Sequence, residues 1–300
     1  MIKVKITLLL ILVKSICLGQ NFHEQFNKAF QSKDTTEQIR ILEKWEVKDS
    51  INPELYTSYF NYYFSKSQSE ILLIGTEKQN GQFLELKDSN GNVAGFIGSK
   101  INYEQSNLKK CFEKINKGIE MFPNRLDMRF GKITALKRIG DWQSMTNEII
   151  SSIKQSKTNN NNWLWTGNEK KDEGKKFFLR AMHSYQLDLY YTENDDLLIN
   201  MRTIGKEVIK HYPDHIESLS NIAITHLLFE EYDKALEYQL LAEKLDSSDT
   251  IVLNNIAQSY LRKGEKEKAL EYLKKTLKFS EESRKNKIEE QIKKLEDSQN

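Results

Sequence analysis

Residues 216–249 and 250–283 align at a fixed offset of 34 positions. Leu219 falls on Leu253, Asn221 on Asn255, Ile222 on Ile256, Ala223 on Ala257 and Leu227 on Leu261. Further on, Ala235-Leu236-Glu237-Tyr238 falls on Ala269-Leu270-Glu271-Tyr272, and with Glu231, Lys234 and Lys244 on their counterparts twelve of the 34 positions are identical. Apolar residues within a unit recur at helical spacing, as in Leu253, Ile256, Ala257, Tyr260 and Leu261, and a break at Lys263-Gly264-Glu265 divides the unit in two. Each unit is therefore predicted to be a helical hairpin. One hairpin cannot bury its own apolar stripe, so a period of this length requires stacked neighbours that share a continuous core.

The pattern resembles the tetratricopeptide repeat. The residues that carry the resemblance are Ala223 and Ala257 at the eighth position, Tyr260 at the eleventh, and Ala235 and Ala269 at the twentieth, where the family's helices approach closely. Pro213 stands 34 positions before Ser247, where the family ends a repeat, so 182–215 reads as a degraded unit with Met201 and Gly205 in place of the usual alanine and aromatic. A further unit is expected over 126–159, with Pro123 before it and Gly140-Asp141-Trp142 at its turn. The helical stretches 22–48, 53–67 and 104–122 look like weaker units. The resemblance implies an all-α, right-handed superhelical solenoid with a concave groove. After Phe279 the chain becomes strongly polar, with Ile288, Ile292 and Leu295 its large apolar residues, which suits a capping helix over 284–300. The expected organisation is a leader over 1–19, N-terminal helices over 20–69, an insertion over 70–100, degenerate repeats over 101–215 with a loop at 159–176, two clear repeats over 216–283, and the cap.

Composition agrees with an elongated helical chain. Hydrophobic residues make up 38% of the 300, and three prolines and 13 glycines are too few for the frequent turns of an all-β protein. The N-terminus carries Lys3 and Lys5, an apolar run from Ile6 to Val13, and Cys17-Leu18-Gly19. The run is too short to span a bilayer and small residues precede a cut after Gly19, so a cleaved secretory signal peptide is expected. The mature chain would be secreted or periplasmic, without a transmembrane span. Lipid anchoring through Cys17 is the alternative, against which the bulky Ile16 argues. Loss of three lysines moves the formal charge from +2 to −1, leaving no basic domain for nucleic acid.

Two segments depart from the helical rhythm. Over 70–100, short apolar runs are separated by Asn80-Gly81 and Asn90-Gly91, the strongest local hairpin signal, and a small inserted antiparallel β-meander is expected. Its Gly-Ser-Lys order at 98–100 is wrong for a phosphate loop. Over 159–176, Trp163 and Trp165 stand in a polar loop. Either they fold back as a plug that staples the loop, or they form an exposed aromatic platform for a glycan or peptide.

No catalytic constellation can be assembled. His211 and His215 straddle Pro213 and cannot share a helix face, no metal-ligand spacing occurs, and Cys111 lies in an apolar helical pattern with no activating neighbour. No cofactor, metal site or enzymatic activity is expected. Binding of a protein or peptide in the concave groove is the function the resemblance implies. In that family an asparagine at the sixth position bonds the backbone of an extended ligand, and Asn221 and Asn255 occupy it here. An amide suits this role because it donates and accepts at once. Ser220, Ile224, Asn254, Gln258 and Arg262 are neighbouring candidates, with His183, Gln186 and Tyr190 from the preceding unit. An envelope-associated glycan-binding or assembly accessory protein, working through the tryptophan loop or the insertion, is the alternative.

Overall fold

The computed structural model describes residues 21–77 and 83–297. The expected signal peptide, Cys17 and Asn80-Gly81 lie outside the described residues. Thirteen α-helices and one three-stranded antiparallel sheet occur among the described residues. The all-α solenoid of hairpins with a small inserted sheet is the architecture found. The chain divides into two compact units, one reaching to Gly140 and taking in Trp163–Lys170, the other holding Asp141–Asn162 and the chain from Lys171 on.

The first unit contains α1 (21–31), α2 (Thr35–Lys48), α3 (Pro53–Ser67), α4 (Gln105–Met121) and α5 (Leu126–Ile139). Local sequence fixes the starts of these helices: Asp34 and Asn52 accept from the free backbone N–H groups of Glu37 and Glu54, and Pro53 supplies a preset φ at the first turn of α3. Phe26, Leu42, Trp45, Leu55 and Tyr59 form one core; Tyr56, Phe60, Leu108, Cys111, Ile115 and Met128 form another. Cys111 is fully buried with its Sγ 3.6 Å from the Phe60 carbonyl oxygen, and burial pushes its thiol up to about 12. It is a packing residue.

Between α3 and α4 lie β1 (Gln68–Gly75), β2 (Phe83–Lys87) and β3 (Val93–Tyr103). The order is β1-β3-β2, so the last strand is central and the sheet is not the sequential meander that the turn signals implied. The physical reason is length: eleven-residue β3 pairs with all eight residues of β1 on one side and with β2 on the other. Only the Asn90-Gly91 connection joins neighbouring strands, with Gly91 at φ 84°.

The second unit contains α6 (Trp142–Thr158), α7 (Gly174–Tyr190), α8 (Asp195–His211), α9 (Ile216–Leu228), α10 (Tyr232–Leu245), α11 (Thr250–Lys263), α12 (Lys266–Phe279) and α13 (Glu282–Asp297). Ala223, Ala235, Ala257 and Ala269 are all fully buried, which is why the repeat keeps a methyl at these places. Gly264, at φ 85°, ends α11 where its backbone N–H reaches the Leu261 carbonyl. Ile288, Ile292 and Leu295 of α13 join the core of α11 and α12.

Candidate binding surface

The first helix of each hairpin in the second unit is α7, α9 or α11, and the residues expected in the groove lie on these three. Ser220, Ile224, Asn254, Asn255, Gln258 and His183 are half-buried, and Arg262 and Tyr190 are exposed. Two residues do not fit the expectation. Asn221 is 3% exposed and its Nδ2 donates to Nδ1 of His183 across 3.2 Å, so it ties α9 to α7 instead of facing a ligand. Gln186 is fully buried, and its Nε2 donates to the Met182 carbonyl and the Ser218 hydroxyl, both at 3.1 Å. At Gln186 the cause is the close approach of α8: a Cβ on Gly205 would stand 2.7 Å from Ile222 and 3.0 Å from Oε1 of Gln186. The glycine lets α8 close over the Gln186 amide.

The Ser218 hydroxyl lies 2.9 Å from Nδ1 of His215, and Nε2 of His215 lies 3.3 Å from Glu217. Burial holds His215 below the usual histidine range, Glu217 opposing. A neutral imidazole accepting from Ser218 at Nδ1 and donating to Glu217 from Nε2 satisfies both contacts.

Asn254 lines a cleft of about 360 Å³ in which α11, the end of α12 and α13 meet. Thr250 and Ile251 join it from α11, and Ser283, Arg284, Lys287 and Gln291 from α13. Thr276 and Ser280 form its floor, with hydroxyls already committed to the Tyr272 and Thr276 carbonyls. Arg284 and Lys287 are exposed, and neither forms an ion pair among the described residues. The cleft thus offers two cations, the amides of Asn254 and Gln291, and the hydroxyls of Thr250 and Ser283 at one place. Reading 284–300 only as a cap misses it, although Arg284 stands 34 positions after Thr250 and so continues the series of first helices. Tyr190 lines a separate cleft with Tyr191, Asn194 and Leu228.

The tryptophan loop is a staple. Trp163 is fully buried, so it cannot be part of an exposed platform, and Trp165 is half-buried and edge-on to Phe130 at 6.1 Å. The backbone of Leu164 bonds Asn124 and Leu126 at 2.9 and 3.0 Å. Beside it, the Arg125 guanidinium is 1% exposed and donates to both carboxylate oxygens of Glu54 (2.8 and 3.1 Å) and of Asp127 (2.7 and 2.9 Å). Glu54 also accepts from the Gly167 N–H at 2.8 Å. Two bidentate pairs around one guanidinium fix the loop to α3 and α5. Sequence reading misses this hub because Glu54 and Arg125 are 71 positions apart.

Residues 252–283 match the profile of the tetratricopeptide repeat. No curated protein sequence matches the chain. Among solved structures, similar ones include PilF of Pseudomonas aeruginosa (14% identity, 65% of this chain and 79% of that one, TM-score 0.40) and a MamA double mutant (14%, 58% and 86%, 0.37). Another is YrrB, described as a tetratricopeptide protein with an unusual peptide-binding site (11%, 80% and 92%, 0.39). None of them places a ligand on this chain.

Proposed function

We propose that this chain is a non-catalytic repeat scaffold that binds a protein or peptide, and that the cleft of α11, α12 and α13 receives a carboxylate-bearing segment of the partner. The observation that carries this reading is the placement of Arg284 and Lys287, free of ion pairs, beside the Asn254 amide. A carboxylate can take charge-assisted bonds from the cations while the amide meets a peptide group. Asn255, Gln258 and Arg262 on α11, with Ser220 and Ile224 on α9, extend the surface along which the segment would run. Peptide arrays test this: acidic peptides should be retained and neutral or basic ones should not, and retention independent of charge would refute it.

The charged start, short apolar run and small residues before Gln20 support export, with cleavage near Gly19, or lipid anchoring at Cys17 as the variant form. No described helix is long and apolar enough to cross a membrane. Mass spectrometry of the protein from its native host reads the outcome, since an intact Met1 would contradict export through this segment.

A further inference from the structure

Strand register puts directly paired residues on one face of a sheet. Ile74 and Leu84 both pair with Ile97, Leu72 pairs with Ser99, Leu86 with Gly95 and Ile101 with Glu70. Leu72, Ile74, Leu84, Leu86, Ile97 and Ile101 therefore share one face of the sheet. Leu72, Ile74 and Leu84 are 66%, 68% and 74% exposed, and Leu86 and Ile101 about two-fifths. A contiguous exposed aliphatic face of this kind is the sort of patch that marks an interface.

We infer that this face pairs with the same face of a second copy of the chain. Its area is sufficient for pairing with a copy. The exposed fractions amount to roughly 500 Å² per chain, so two faces together would remove about 1,000 Å², the size at which a specific interface begins. Its chemistry points the same way. Apart from Ser99 the middle of the face holds no side chain able to direct a polar partner, and an aliphatic face is complementary to itself across a two-fold axis. The charged residue on its rim is Glu70, whereas a lipid-binding face would carry lysine or arginine there.

Sedimentation velocity across a concentration series tests the pairing, comparing the wild type with Leu72→Thr/Leu84→Thr, whose threonines keep strand propensity. The wild type should dimerise, and the double variant should need at least about tenfold more protein to do so. Glu85→Gln, on the opposite face, should behave as wild type. Leu84→Lys is the second variant, to be used if the threonine pair changes the circular dichroism. A wild type that stays monomeric, a dimer insensitive to both face variants, or a monomer that instead floats with phosphatidylcholine vesicles overturns the inference.

Discussion

Asn221 of α9 bonds His183 of α7 across 3.2 Å, and with that contact one of the two sixth-position amides expected to face a ligand becomes part of the repeat interface. Asn221→Ala should cost about 1–2 kcal/mol, as expected for a buried hydrogen bond whose partner is left behind. Urea unfolding measures it, and peptide capture should be unchanged. A variant as stable as wild type that loses capture would return Asn221 to the groove.

Gly205 faces Ile222 with no room for a methyl. Gly205→Ala gains helix propensity of about 1 kcal/mol but must displace Ile222 and Gln186, and overpacking of this kind costs roughly 1–3 kcal/mol. The melting temperature should fall, and a rise would show that α8 and α9 separate without cost.

Arg125 holds two carboxylates in a nearly dry site. Arg125→Ala leaves both uncompensated and should destabilise the first unit by about 3–5 kcal/mol, with faster proteolysis of the loop around Gly167. Replacing Glu54 and Asp127 by their amides together with Arg125→Met should restore much of the loss, because no charge then remains unpaired. Equal instability in the single and triple variants would contradict this origin.

His226 supplies an acid-sensitive contact between α9 and α10. It stands where Tyr260 stands one repeat later, stacks on Tyr238 at 5.6 Å, and its Nδ1 donates to Glu231 at 2.6 Å, while its buried Nε2 has no partner. Burial holds its pKa below the usual histidine value, opposed by Glu231 and aided by Arg202. Protons therefore bind the unfolded chain more readily, so stability is full above the unfolded value of about 6.5 and declines as pH falls below it. Glu231 is held at about 2, first by Lys234 and then by His226, so its own contribution is lost only at lower pH, between the unfolded glutamate value and 2. His215, also held low by burial, adds to the decline. His226→Tyr should flatten the curve of melting temperature between about pH 6.5 and 5 relative to wild type; parallel curves would show that His226 does not titrate on unfolding.

The stacked hairpins were legible because their period and their buried alanines are local properties of the chain. What faced outward was not. Asn221 and Asn255 are equivalent in sequence, yet the first is buried against His183 of α7 while the second stays half-buried. Trp163 reads equally well as plug or platform until Arg125 and Glu54, distant in sequence, are seen to seal the loop. Strand order was hidden for a similar reason, since Asn-Gly marks turns without saying which strand lies in the middle. The cleft at Arg284 was within reach, one more step of 34 along the chain, but the polar character of α13 suggested a cap alone.

The cleft of α11, α12 and α13 is tested most directly by fluorescence anisotropy of a labelled acidic peptide, chosen from the array, against wild type and Arg284→Glu/Lys287→Glu. Both side chains are exposed, so the variant should fold and melt as wild type. Binding by the wild type should weaken by at least about tenfold in the charge-reversed protein, equivalent to roughly 1.4 kcal/mol. Equal affinity for the two proteins would contradict the assignment of this cleft as the peptide site.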